Sequence, residues 1–152
     1  MKIRAAKVSD VKEIHKIVEY YADNKEMLHR PLNAIYENIQ EFVVVEENGE
    51  IIACGALHVA WEDLAEIKAL AVVNGQTKKG LGRQIVDKLE QNAADLGVNR
   101  IFTLTFKPIF FEKLGYKLIP KETLPHKIWS ECINCHLFPD CGEVPLLKEL
   151  KK

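Results

Sequence analysis

Apolar residues recur along this chain first at helical spacing, then at strand spacing, and the changes of period divide it into elements. Ile3 and Ala5 predict a short first strand. Ser9-Asp10 offers a cap ahead of Val11, Ile14, Ile17, Val18 and Tyr21, whose spacing predicts an amphipathic helix over about residues 10–22. Pro31 suits the first turn of a second helix with Leu32, Ile35, Tyr36 and Ile39 on one face. Residues 42–45 read as a strand, and Asn48-Gly49 marks a hairpin, because a type I′ turn needs positive φ at both central positions. Its partner strand runs from Glu50 to about Trp61. Asp63 and Leu64 reverse the chain again, and Ile67, Ala69, Ala71 and Val73 alternate with Lys68 and Leu70 in a third antiparallel strand.

Leu81, Ile85, Leu89 and Ala93 then carry a helical stripe that stops at Gly97, and residues 100–105 are β-rich. Pro108 opens a short helix over 109–114 that ends at Gly115, and 116–119 return to an extended pattern. The order β-α-α-β-β-β-α-β-α-β predicts an α+β fold with a mixed, mostly antiparallel central sheet flanked by helices. From Leu124 onward no period holds, so 1–123 is expected to be the core and 124–152 an irregular C-terminal lobe of the same domain.

Composition narrows the function. Hydrophobic residues make up 47% and charged residues 28%, the balance of a folded globular chain and not of a disordered one. Lys and Arg total 21 against 22 Asp and Glu, so no global positive field exists to hold a nucleic-acid backbone. The start Met1-Lys2-Ile3-Arg4 lacks the apolar stretch of a signal peptide, and the longest apolar run, 51–57, is too short to span a bilayer. A cytoplasmic protein is expected, with a small-molecule substrate and no nucleic-acid or membrane partner; a homodimer is compatible with the sequence, which does not fix the oligomeric state.

The segment Thr77-Lys78-Lys79-Gly80-Leu81-Gly82-Arg83 lies between a strand and a helix, where backbone N–H groups and the helix dipole favour an anion. Gly80 and Gly82 permit close approach, while Lys78, Lys79 and Arg83 add charge that a diphosphate would use. A plain loop with solvated lysines is the alternative. The P-loop and dinucleotide fingerprints are absent, since no Gly-Lys-Ser/Thr and no third Gly occur here.

That segment resembles the acyl-CoA loop of the GNAT superfamily of N-acetyltransferases, and Phe110-Phe111-Glu112-Lys113-Leu114-Gly115-Tyr116 matches the later helix-strand motif of the same family. The resemblance implies acetyl-CoA as co-substrate, held by the amides of about Lys79 to Arg83, with backbone N–H groups at Leu70, Ala71 and Val72 polarising the thioester carbonyl. Two departures stand out in the loop: Thr77 replaces the usual Arg or Gln, and Lys78 replaces a common Gly. Phe111 stands where many members carry a Tyr that protonates the departing thiolate, and a phenyl ring cannot do so. A thiol of pKa near ~8.5 still leaves readily.

Transfer to an amine requires a group that removes a proton, and Glu66, near the start of the strand before the loop, is the candidate base. It could instead be a surface residue paired with Lys68 or Arg100. A longer resemblance covers nearly the whole chain. Met27-Leu28-His29-Arg30-Pro31-Leu32, Trp61-Glu62-Asp63-Leu64-Ala65-Glu66 and Leu124-Pro125-His126-Lys127-Ile128-Trp129 are similar to short bacterial amino-acid N-acetyltransferases of the N-acetylglutamate synthase group. It implies acetylation of the α-amine of L-glutamate, the opening step of arginine biosynthesis. Two carboxylates on the acceptor call for cations, and Arg30 and Lys127 are the candidates, with Trp129 as a pocket wall. Arg30 could equally brace the second helix, Lys127 could be solvated, and Trp129 could be a core ring.

Cys132, Cys135 and Cys141 form a C-x₂-C-x₅-C cluster that offers three ligands for zinc, one short of a closed structural site, so free thiols are the competing reading. Cys54, inside a strand, is expected in the core. Acetyl transfer to another amino acid or a polyamine is the nearest alternative, and a lapsed acyl-CoA- or metal-binding module is the alternative from another class, suggested by Phe111 and Thr77.

Overall fold

The computed structural model describes residues 1–24, 27, 29–73, 80–124 and 143–150. Its elements follow the predicted order: β1 (Lys2–Ala5), α1 (Val11–Asp23), α2 (Leu32–Glu37), β2 (Phe42–Glu47), β3 (Glu50–Trp61), β4 (Leu64–Val72), α3 (Leu81–Asp95), β5 (Arg100–Thr105), α4 (Pro108–Glu112) and β6 (Lys117–Leu118). Asn48 and Gly49 take φ of 53° and 80°, as a type I′ hairpin demands. One expectation needs correction. The segment from Leu124 is not irregular throughout, because β7 (Val144–Glu149) enters the sheet between β5 and β6.

The seven strands run in the order β1-β2-β3-β4-β5-β7-β6. All neighbours are antiparallel except β4 and β5, which are parallel and joined through α3. Apolar side chains fill both faces. On one, Leu81, Ile85, Val86, Leu89 and Ala93 of α3 are fully buried against Val43, Ile52, Leu57 and Ile67 of the sheet. On the other, Val11, Ile14 and Val18 of α1 and Ile35 of α2 cover Val44, Cys54, Ala69 and Ala71. Gly55 on β3 admits α3 closely: a Cβ built there would lie 2.6 Å from Ile85 Cγ2.

Two irregularities in β4 prepare the site. Opposite β3, Cys54 pairs with Ala71 and Ala56 with Lys68, so Gly55 alone faces Ala69 and Leu70: a β-bulge. Ala69 carries it at φ 56°, a conformation that costs a non-glycine residue about 1 kcal/mol or more. The bulge moves the pleat by one residue. Ile67 packs on the α3 face, and Ala69 and Ala71 pack on the α1 face, where strict alternation would put them with Ile67. The second irregularity lies toward β5, where the ladder contains only Ala65–Ile101, Glu66–Phe102 and Ile67–Thr103. Beyond Ile67 the two parallel strands part.

Candidate active site

A cleft of about 340 Å³ opens in that wedge. One wall is β4 from Glu66 to Val72, and the other is formed by Thr103, Leu104 and Thr105 of β5 with Phe110 and Phe111 of α4. The start of α3, at Gly80, Gly82 and Arg83, closes one end. Tyr21, Met27 and Arg30 reach it from the α1–α2 side. The β4–β5 ladder ends at Ile67, so the β5-facing backbone of 69–71 lies beyond it, where N–H and C=O groups are strong donors and acceptors for an extended ligand. Val72 O is engaged, accepting a hydrogen bond from the Tyr21 hydroxyl.

Gly80 is the N-cap of α3 at φ 71°, with open space where a Cβ would stand. The first amides of the fifteen-residue helix, at Leu81, Gly82 and Arg83, have no acceptor within the helix itself, so they and the helix dipole form a partial positive end beside the cleft. Gly82 packs against the Phe110 ring, its virtual Cβ 3.0 Å from Cζ. Leu81 can contribute only an N–H, since its side chain is fully buried in the core.

Glu66 sits at the narrow end of the wedge with its side chain only 12% exposed, 4.0 Å from Lys68 Nζ. Arg100 is not its partner: that side chain bonds the Asp63 carbonyl at 3.2 Å. His58 stands directly across the β3–β4 ladder from Glu66 and shares its sheet face. Arg30, just before α2, lines the cleft, and its Nε is buried with no hydrogen-bond partner among the described residues. A buried donor left unpaired is costly, which points to a guest that accepts from it.

Phe111 lines the cleft and is buried, with Phe110 and Tyr116 edge-on to it at ring-centroid distances of 5.1 and 5.4 Å. The Tyr116 hydroxyl beyond it donates to Glu90 at 2.9 Å, and burial with that carboxylate holds its pKa above the usual phenol value. Tyr116 is a core residue and no substitute acid. Burial likewise pushes the Cys54 thiol up to about 12, making it the neutral core thiol that its strand position suggested.

The structure thus brings Glu66, Arg30, Leu70, Ala71, Val72, Gly80, Gly82, Arg83 and Phe111 to one cavity. Lys78, Lys79, Lys127, Trp129, Cys132, Cys135 and Cys141 lie outside the described residues. Sequence reading passed over Lys68, Tyr21, Thr103, Thr105 and Glu143, all of which line the cleft. For Lys68 a signal existed: a Lys two residues from Glu66 on an otherwise apolar strand. Among the described residues no helix is long and apolar enough to cross a membrane.

A bulged strand parting from its parallel neighbour beside a glycine-opened helix N-terminus is an arrangement that can accept an extended chain ending in phosphate. Residues 8–116 match the Acetyltransferase (GNAT) family. The chain is 40% identical over 148 residues to an uncharacterised N-acetyltransferase of Chlorobaculum tepidum, covering 97% of this chain and 96% of that one. It is 41% identical over 132 residues to an amino-acid acetyltransferase of Mycobacterium tuberculosis, covering 85% and 75%. A Mycobacterium tuberculosis protein solved in complex with CoA superposes with a TM-score of 0.87 at 35% identity, over 99% of this chain and all of that one. The chain belongs to the GNAT acetyltransferase family and is an acyltransferase.

Proposed function

We propose that this protein transfers the acetyl group of acetyl-CoA to the α-amine of an amino acid, L-glutamate, the opening step of arginine biosynthesis. The observation that carries the reading is the meeting, in one cleft, of a mostly buried carboxylate at Glu66, the half-buried Arg30 with its buried Nε, and the parted edge of β4. The similar amino-acid acetyltransferase and the relative solved with CoA support it.

In this reading the diphosphate of CoA rests on the amides of 81–83, with positive charge supplied by Arg83, Lys78 and Lys79, and the pantetheine arm extends along β4. The thioester carbonyl accepts from amides at Leu70 to Val72, just past the bulge. Arg30 and Lys127 hold acceptor carboxylates, and Trp129 walls the pocket. Glu66 takes a proton from the α-ammonium, directly or through one water. The freed amine attacks the carbonyl carbon and a C–N bond forms; the nitrogen gives up its second proton to water as the C–S bond breaks to release CoA thiolate. With Phe111 in place of a phenol, the thiolate leaves unassisted and takes its proton from water; a leaving group of pKa near ~8.5 permits this.

Release of thiol from acetyl-CoA, measured against a panel of amino acids and polyamines, tests the assignment. Turnover highest with L-glutamate supports it. Turnover confined to a polyamine or to amino acids without a second carboxylate would reject glutamate.

A further inference from the structure

Arg30 and Lys68 line more than the main cleft. Both also line a second cavity of about 120 Å³, closed on its other sides by Ile35 and Asn38 of α2 and its C-terminal end and by Glu41 and His58. The two cations therefore stand in the partition between the cavities. Lys68 is 13% exposed, a low value for a lysine, a residue type almost never buried without reason. It projects from the same face of β4 as Glu66, two residues or about 7 Å along the strand. A molecule with its amine at Glu66 and a short side chain would carry the end of that side chain to the partition.

The chemistry of the smaller cavity favours an anion there. Glu41 is its one acid among the described lining residues, and His58 Nδ1 engages that acid at 2.6 Å. Against it stand the guanidinium of Arg30, with a buried Nε left unpaired among the described residues, and the ammonium of Lys68. The Asn38 amide is fixed by donating to Ala34 O at 2.7 Å. The volume admits a short chain ending in one planar group and excludes a large ring. We propose that this smaller cavity receives the end of the acceptor's side chain, and that Lys68 with Arg30 selects a carboxylate over a neutral carboxamide. This rests on the amino-acid acetyltransferase reading and makes Lys68 a specificity-determining residue of it.

L-Glutamate and L-glutamine form the test pair, because they match in shape and differ at the planar group at stake, where a charged carboxylate becomes a neutral carboxamide. For wild-type protein, Lys68→Met and Lys68→Arg, kcat/KM is measured with both acceptors, and binding of both to the CoA-loaded protein is followed by calorimetry. Lys68→Met is expected to lower the glutamate-over-glutamine ratio roughly tenfold or more, the scale for removing a charged hydrogen-bond partner, and Lys68→Arg to restore most of it. Because Lys68 also neighbours Glu66, a loss common to both acceptors reports on the base, and only the ratio reports on selection. A ratio unchanged in Lys68→Met would overturn the inference while leaving acetyl transfer intact. Wild-type protein that acetylates neither amino acid would sink the function reading instead, and the calorimetric ratio would still decide whether Lys68 discriminates charge.

Discussion

Replacing Glu66 by Gln tests the chemistry with little change of shape. The amide fills the same space, retains no basicity, and removes the negative charge 4.0 Å from Lys68 Nζ. General base catalysis is worth about 10²–10⁴-fold, or roughly 3–5 kcal/mol of barrier. The site supports the upper part of that range, since Glu66 is 12% exposed and bulk water reaches it poorly. The deficit should shrink with pH. The α-ammonium of a free amino acid is almost wholly protonated at pH 7 and its free-base fraction rises steadily toward pH 9, so the variant recovers relative to wild type across that span. Initial rates of thiol release from acetyl-CoA at saturating acceptor, taken from pH 7 to 9, give the ratio directly. The KM for acetyl-CoA should hold, since Glu66 lies at the far end of the cleft from α3. Equal kcat for variant and wild type at pH 7 would refute the base assignment, and a deficit constant from pH 7 to 9 would refute the proton-removal role.

Other expectations follow from single contacts. Arg30→Ala should raise the KM for glutamate about 10–100-fold, as loss of a charge-assisted bond worth about 1.5–3 kcal/mol implies, with kcat less affected; an unchanged KM removes Arg30 from the acceptor site. Gly55→Ala puts a methyl 2.6 Å from Ile85 Cγ2 and should cost about 1–3 kcal/mol. Thermal unfolding would then shift down by roughly 2–10 °C, and an unchanged Tm would show that α3 moves freely on the sheet. Asp10 accepts from Arg4 Nη1 and Nη2 at 2.8 and 3.0 Å, and the guanidinium beside it holds its carboxyl below the usual range. A depressed carboxyl contributes stability above its unfolded pKa near 4 and loses it as pH falls through the lower folded value. Wild-type Tm should therefore drop more steeply below pH 4 than that of Asp10→Asn; parallel curves would show that the pair contributes nothing.

Local patterns carried much of this fold. The stripes of α1 and α3, the Asn48-Gly49 turn and the glycine stops are short-range signals that were legible in sequence. What stayed hidden depends on distant partners. Strand β7 pairs with β5 from far along the chain, after a stretch without a period, and Pro145 within it argues locally against a strand. The bulge at Ala69 was invisible because Ile67, Ala69 and Ala71 alternate without interruption, though Ile67 lies on one face and the two alanines on the other. Glu66 and Arg30, which the structure places on the cleft, stand out in the sequence by their chemical type, but Lys68 reads there as the polar half of an alternating strand. Only the parting of β4 from β5 turns that polar position into a cavity wall.

The central claim is that the wedge between β4 and β5 seats acetyl-CoA with its thioester at Glu66. A crystal structure with bound CoA is the most direct measurement. The diphosphate is expected within hydrogen-bond reach of the amides of Leu81, Gly82 and Arg83, and the thiol beside the backbone of 70–72, facing the Glu66 end of the cleft. A coenzyme lying elsewhere, or a thiol turned away from Glu66, would contradict it.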